Sequence, residues 1–435
     1  MHIIRKLIGS HFFKSLAILA SGSLIGTAIT AACEVGRTWI FPAENLGIYT
    51  LLLTFPHLFI AIPSFRYDIS IIVEKDERKT LALVKLSLIL MLLTSTAVTL
   101  GDIIFLFGFH AEYSAYWYTI PLCFFVVCGY GLNNVLNAYS NRRKEYKEIS
   151  QKYVIRTAAQ NITTIILGML IVKLLQLPEW SVLILYIPHG LGLFIGTWKQ
   201  SASLRKQEKE IRSLRGKELM EAAKIHRKQL LFSTPALFIN NYSYSVISLL
   251  VEDLFDATTL AYYGISNRVL GIPIALISGN VSKVYIEEAA KEYNATGKFI
   301  KAFKKTILFL VAMAIPMLLG MYFVAPLVCE SILGPGWGIA GEYIKILAVM
   351  FSFRLIGTAM SQSLVVCNRQ GIELIVNICL VIASLLSGVI TRQTGGDIYS
   401  FLTLICIFRS ACYVLLITGV LICALGKMGK RREQK

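Results

Sequence analysis

The stretch WKQSASLRKQEKEIRSLRGKELMEAAKIHRKQ, residues 198–229, is the longest polar run in this 435-residue chain, and ten of its side chains are Lys or Arg. No part of it is apolar enough to enter hydrocarbon, where a helix needs about 20 apolar residues to span. Six segments of that kind precede it, at about 12–36, 43–65, 80–106, 115–139, 153–173 and 180–197. Six more follow, at about 230–251, 258–281, 306–328, 343–366, 372–391 and 399–425. The run therefore reads as a basic linker at 198–229 between two six-helix lobes, 1–197 and 230–425, with a basic tail at 426–435. The expected fold is an all-α polytopic membrane protein.

Composition agrees, with 55% hydrophobic and 16% charged residues and a mean hydropathy of +0.63. A soluble fold is excluded on these figures. The net charge of +17 could point to nucleic acid, but its distribution does not. Thirty-four Lys and Arg fall on one side of the expected spans, and only Arg37, Lys173 and Arg392 fall on the other. Loops rich in Lys and Arg stay in the cytoplasm, so both termini are placed there and the number of spans is even. MHIIRKLIGSHFFK, residues 1–14, reads as a retained cytoplasmic end, not a cleaved signal. The remaining six basic residues lie within spans. Lys85, Arg156 and Lys345 are about one turn from an end and can snorkel to the interface. The nine cysteines make no CxxC pair and the six histidines no HExxH motif. They imply no metal site and no cofactor.

The lobes echo one another. Leu46-Gly-Ile-Tyr49 and Ile60-Ala61 recur 214 positions later as Leu260-Ala-Tyr-Tyr263 and Ile274-Ala275, and Asn141-Arg142 is matched by Asn368-Arg369. Both lobes start with the same orientation. The repeat is parallel, which implies a pseudo-two-fold along the membrane normal and a central cavity between the lobes.

Three arginines, Arg268, Arg354 and Arg409, sit near mid-depth. A guanidinium at the centre of a bilayer helix costs about 2.5–3.5 kcal/mol on insertion scales, so these side chains are expected to face a wet interior and an anionic cargo. Polar stripes at helical spacing accompany them: Ser23, Thr27, Thr30 and Glu34; Asn133, Asn134, Asn137 and Asn141; Thr234, Asn241, Ser245 and Ser248; Arg354, Thr358, Ser361 and Gln362. Such stripes also serve simply to bond helices together. Carboxylates are scarce in the spans. Glu34 is the candidate for proton or sodium coupling, and its alternative is an interfacial pair with Arg37 one turn on. Prolines fall within expected helices at Pro56, Pro63, Pro188, Pro235, Pro273 and Pro316. The inner segments Arg66–Lys79 and Ser282–Lys305 read as surface-lying amphipathic segments or solvated loops.

Several motifs carry a family resemblance. They are Phe65-Arg-Tyr-Asp-Ile-Ser-Ile-Ile-Val-Glu-Lys-Asp-Glu77, Asn141-Arg-Arg-Lys144, Tyr263-Gly-Ile-Ser-Asn-Arg-Val-Leu-Gly-Ile-Pro273, Leu333-Gly-Pro-Gly-Trp337 with Gly341-Glu-Tyr-Ile-Lys345, and Ser361-Gln362 running into Asn368-Arg369. In order and spacing the chain resembles the polysaccharide transporter family, the Wzx-type flippases of lipid-linked oligosaccharides, within the multidrug/oligosaccharidyl-lipid/polysaccharide exporter superfamily. The resemblance implies two six-helix lobes around a central cavity and a transporter rather than an enzyme. It implies an oligosaccharide on polyprenyl pyrophosphate, moved from the inner to the outer leaflet of a bacterial cytoplasmic membrane for O-antigen, capsule or exopolysaccharide synthesis. A polysaccharide polymerase and a chain-length regulator would be its partners. It assigns site roles to Arg268 and Arg66 only; Asn267, beside Arg268, is a further candidate for the cavity. Arg354 and Arg409 are expected to contact phosphate or acidic sugar, and Asn241, Asn133 and Asn137 sugar hydroxyls.

Two alternatives stand beside this reading. A polymerase, ligase or glycosyltransferase would want a large outer loop, yet every expected outer loop is roughly 5–15 residues, near the short connections of a bundle. A drug exporter of the same fold would want acidic residues for a cationic cargo.

Overall fold

The computed structural model describes residues 11–367, 369 and 371–426, with side chains from residue 21 onward. The basic N-terminal residues 1–10, Asn368 of the expected echo and the tail 427–435 lie outside the described residues. Each of the twelve expected apolar segments is helical. In the first half these are α1 (His11–Ile40), α2 (Ala43–His57), α3 (Glu77–Ile104), α4 (Thr119–Arg142), α5 (Tyr146–Leu167) and α6 (Ser181–Gly192). In the second they are α7 (Thr234–Leu254), α8 (Ala257–Thr296), α9 (Ile300–Phe323), α10 (Gly338–Ser361), α11 (Gly371–Thr394) and α12 (Ile398–Ala424). Nine stretches among the described residues are long and apolar enough to cross a bilayer. No strand occurs among them. Acidic N-caps set three helix starts: Asp76 accepts the Lys79 N–H at 3.0 Å, Asp256 that of Thr259 at 2.6 Å and Asp397 that of Ser400 at 2.9 Å.

Three boundaries differ from the sequence expectation. Helix α2 stops at His57, and Pro63 lies in the turns that follow instead of in a helix. Pro56 and Pro63 each lack an N–H, and the residue before a proline is driven out of helical geometry. Helix α5 starts at Tyr146, seven residues before the expected 153, so that Lys152 belongs to a helix and not to a loop. The segment Ser282–Lys305 is mostly helix: α8 continues unbroken for 40 residues to Thr296 and stops at Gly297, whose φ of 71° suits glycine. Hydropathy fades along these polar turns, but their Lys, Glu, Gln and Ala residues are good helix formers.

The chain divides into two compact units after Asn241, inside α7. In the first, α1 lies along α5 at small residues. A Cβ on Gly22 would come within 2.0 Å of Ser150 Oγ and one on Gly26 within 2.3 Å of the Tyr153 ring, the close approach that glycine allows in membrane helices. In the second, α10 packs against α8, α9, α12 and the short helix Ala325–Leu333. The echoed residues have equivalent places. Leu46 and Tyr49 are buried in the first unit, and Leu260 and Tyr263 in the second.

The basic linker is folded. It forms the short helices Thr197–Gln200, Ala202–Arg205, Glu208–Ser213 and Gly216–Ile225. Leu204, Leu214 and Ala222 from it are buried with Tyr67, Ile71, Leu81 and Tyr139. Polar contacts pin it as well: Arg78 Nε donates to Glu218 Oε1 at 2.6 Å, Lys85 Nζ to the Leu214 carbonyl at 2.8 Å, and His226 Nε2 lies 2.9 Å from Glu74 Oε2. Arg142 donates to the Glu74 carbonyl and to Glu77 Oε2, the latter at 3.2 Å.

This latch depends on pH. The hydrogen bond from His226, aided by the Asp76 and Lys75 N–H groups, holds the Glu74 carboxyl below its ordinary 4.5. A depressed folded-state value contributes stability that is present above 4.5 and lost as pH falls through that lower value. Proteolysis within 198–229 is therefore expected to be slow near neutral pH and to accelerate as pH falls below 4.5 and through the depressed value. In Glu74→Gln the acid-triggered step should shrink, and an unchanged step would show that this carboxylate does not hold the linker.

Candidate substrate-binding site

In the second unit the structure gathers two of the mid-depth arginines around one aromatic ring. Arg354 on α10 holds its guanidinium carbon 4.2 Å from the centroid of Tyr244 on α7 and 5.1 Å from that of Phe351. Arg409 on α12 approaches the same Tyr244 ring at 5.5 Å. A ring face attracts a cation, by about 2 kcal/mol where water is excluded, so Tyr244 offsets part of the cost of bringing two like charges together. Among the described residues neither arginine has a carboxylate within 4 Å.

The two differ in what they do with their donors. Arg409 is 1% exposed, and its Nη1 donates to the Ser243 carbonyl at 2.5 Å and to Ser384 Oγ at 2.9 Å, with the Leu380 carbonyl at 3.4 Å. It ties α12 to α7 and α11. Arg354 is half-buried, and its Nε, like that of Arg409, is enclosed without a hydrogen-bond partner among the described residues. Its guanidinium stacks on aromatic rings and retains donors for something else.

Around Arg354 the expected polar stripe is largely interhelical bonding. Thr358 Oγ1 donates to the Arg354 carbonyl at 2.7 Å and pairs with Ser278 of α8 at 3.0 Å, and Ser361 Oγ donates to Glu373 Oε1 of α11 at 3.3 Å. These contacts fix register. Ser266 Oγ donates to the Ala340 carbonyl at 2.8 Å, so Arg268 lies beside the start of α10, while Thr358 pairs with Ser278 and Arg354 lies about one turn before that level. At 1.5 Å per residue the two are offset along the helices by roughly 10 Å. Arg268 and Asn267 are half-buried on α8, and Asn241 is half-buried on α7 at the end of the first unit.

In the first unit, Arg66 caps the short helix Tyr67–Val73 with φ 64°, next to Phe65 at φ 47°. Two successive left-handed non-glycine residues store strain of about 1–3 kcal/mol each. Arg66 Nε is also buried without a partner. Glu34 has the bland arrangement: its Oε1 accepts from Arg37 Nη1 at 2.6 Å, and Arg37 Nη2 donates to Asn161 Oδ1 at 3.0 Å.

Asn133 and Asn137 lie on a cavity of about 200 Å³ lined also by Ser23, Ser150, Lys152 and Arg156. Asn133 Nδ2 donates to the Gly129 and Leu193 carbonyls at 2.6 and 2.9 Å, and its Oδ1 accepts from Lys152 Nζ. Asn137 Oδ1 accepts from Gln200 at 2.9 Å. Lys152 is buried, and Arg156 has a buried Nε without a partner and lies 5.2 Å from the Tyr153 ring centroid. Arg156 therefore faces an internal space and does not simply snorkel outward. Lys152 and Arg156 are the residues that hydropathy hides. Once α5 is extended back to Tyr146, their four-residue spacing puts both on one helix face.

Comparison with known families bears on the whole arrangement. The family described as polysaccharide biosynthesis protein matches residues 43–342, more than half of the chain. The chain belongs to that family. Curated proteins give no match to the sequence. Among solved structures, the polysaccharide biosynthesis protein is similar to the lipid II flippase MurJ in an inward closed conformation, with a TM-score of 0.75, 14% identity and coverage of 94% of this chain and 90% of that one. It is similar to an inward-facing multidrug resistance MATE family transporter of the MOP superfamily (TM-score 0.67, 14% identity, coverage 93% and 94%). A MOP superfamily transporter from Pyrococcus furiosus matches with a TM-score of 0.61, 13% identity and coverage of 95% and 96%. At these identities the likeness establishes the fold, the one the sequence resemblance implies. This member of the polysaccharide biosynthesis protein family is a multi-pass membrane protein with a transporter fold.

Proposed function

We propose that this protein moves a saccharide carried on polyprenyl pyrophosphate from the inner to the outer leaflet of a bacterial cytoplasmic membrane, for assembly of a surface polysaccharide. The observation that carries the reading is Arg354, a half-buried guanidinium stacked on Tyr244 and Phe351 with no carboxylate partner among the described residues. In a chain of the polysaccharide biosynthesis protein family, the anion it awaits is the pyrophosphate, the part of such a lipid least able to cross hydrocarbon. The polyprenyl tail remains in the bilayer throughout. A guanidinium forms paired hydrogen bonds to phosphate oxygens, which favours Arg over Lys at this position. Alternating access exchanges the leaflet from which the head group is reached. A polymerase on the outer face would consume the product.

The test uses the full chain reconstituted in liposomes with a fluorescent polyprenyl-pyrophosphate saccharide. A quencher that cannot cross the bilayer reports the leaflet. Protein-containing vesicles are expected to expose the inner-leaflet pool well faster than empty ones. Equal rates would overturn the proposal.

A further inference from the structure

We infer that the cavity in the first unit is an oxyanion-binding site built by Lys152 and Arg156, separate from the Arg354 cluster. Its donors and acceptors are unevenly used. Both Asn133 amide hydrogens are held by the Gly129 and Leu193 carbonyls, which turns its oxygen onto Lys152. The Asn137 oxygen accepts from Gln200 and leaves its amide hydrogens. The acceptors of both asparagines are thus occupied from within the protein. Lys152 has three N–H donors and one neutral acceptor for them. Arg156 has an enclosed Nε with no acceptor at all. The space they line offers hydrogen-bond donors and positive charge, and among the described residues no carboxylate lies within 4 Å of either cation.

Two like charges one turn apart repel, and buried charges need partners. A single polyoxygen anion between Lys152 and Arg156 removes both penalties. The cavity volume of about 200 Å³ equals roughly seven waters at their liquid volume, below the 300–1,000 Å³ of pockets that enclose drug-sized ligands. It suits a phosphate or diphosphate group. Ser23 and Ser150 add hydroxyls to the lining, and Gly22 lets α1 come close enough to close the wall. The shared chemistry is a phosphate ester or free phosphate, reaching the site on a prenyl lipid or from solution.

The test is equilibrium dialysis of the full-length protein in nanodiscs against radiolabelled inorganic pyrophosphate at fixed ionic strength. It is done in the Arg354→Gln background, so that the second-unit cluster does not contribute and failure of the transport proposal leaves the result readable. Saturable binding of one equivalent is expected. Adding Lys152→Met or Arg156→Gln should weaken it at least tenfold, whereas Lys152→Arg, which keeps the charge, should stay within about threefold, consistent with a charge-assisted contact. Size-exclusion profiles identify variants that fail to fold. If those do, competition by chloride in the Arg354→Gln protein decides: equal competition by chloride overturns the site, as does absence of saturable binding or its persistence in the Lys152→Met, Arg156→Gln double variant. Farnesyl pyrophosphate binding tenfold tighter than inorganic pyrophosphate supports the site with a lipid source, and equal affinity supports it with a soluble one.

Discussion

Arg354→Ala is expected to abolish surface polysaccharide in a complemented strain while the protein remains in the membrane at normal abundance. The two halves of that expectation have different physical grounds. The tie that the Arg354 side chain makes to another helix is its contact with Tyr244 of α7. Thr358 takes the Arg354 backbone carbonyl, which the substitution retains. The stacking lost is with Tyr244 and Phe351, worth about 0.5–2 kcal/mol. Against a pyrophosphate the loss is larger. Truncating one partner of a desolvated, hydrogen-bonded charge pair costs about 2–5 kcal/mol, which weakens binding on the order of 30-fold or more. Arg354→Lys keeps the charge without the planar fork, so an intermediate flipping rate is expected. Membrane immunoblots and liposome flipping give the two readouts. Normal flipping by Arg354→Ala would remove Arg354 from the site.

Arg409 is expected to respond in the opposite sense. Its side chain is enclosed, and its donors reach acceptors on α7 and α11. Arg409→Ala leaves a large cavity where three helices meet, and large-to-small core changes cost about 2–5 kcal/mol. Lower thermal stability in detergent and lower abundance should accompany any loss of export. The informative partner is Arg409→Met. It keeps most of the volume and removes a charge that has no carboxylate, and apolar replacement of buried ionic groups is often neutral or stabilising. Arg409→Met should therefore unfold near the wild-type temperature. If it is as unstable as the alanine variant, the charge itself holds the helices together. If it is stable but cannot flip substrate, Arg409 acts on transport through the Tyr244 ring it shares with Arg354.

Much of the fold is legible in the sequence because spans are read from the property that makes them fold. All twelve apolar segments are helical, and the mid-depth criterion singles out Arg268, Arg354 and Arg409 alike. Depth alone did not separate Arg354 from Arg409. Both are equally costly in lipid, and only tertiary geometry shows that Arg409 has its Nη1 donors on the Ser243 carbonyl and Ser384. The first-unit cavity was half legible. Asn133 and Asn137 stand out on an apolar helix, whereas Lys152 falls just outside the expected span 153–173, because the first two turns of the helix that starts at Tyr146 are polar. Arg156 lies about one turn from the end of the expected span, where a side chain can snorkel. Its direction depends on α1 and α4, which no local window contains. The strained pair Phe65 and Arg66 carried no signal, since a left-handed backbone at non-glycine residues is set by the surrounding packing.

Helix α8 carries Arg268, Pro273 and Ser278 and then runs on to Thr296 without a break. At 1.5 Å per residue its 40 residues extend about 60 Å, twice the thickness of the hydrocarbon core. It is a lever with a long arm, held near its far end by Lys305 on Glu288 and by the Lys301 and Ala302 N–H groups on Glu292. Pro273 removes one backbone hydrogen bond near the arginine end, and Thr296 lies roughly 35 Å further along. A 10° tilt about that point, well within the tilts membrane helices adopt, swings Thr296 by about 6 Å. Small adjustments around Arg268 and the Ser278 contact to α10 are thereby magnified at a segment that ends in water, where Lys291, Lys305 and their glutamate partners are exposed.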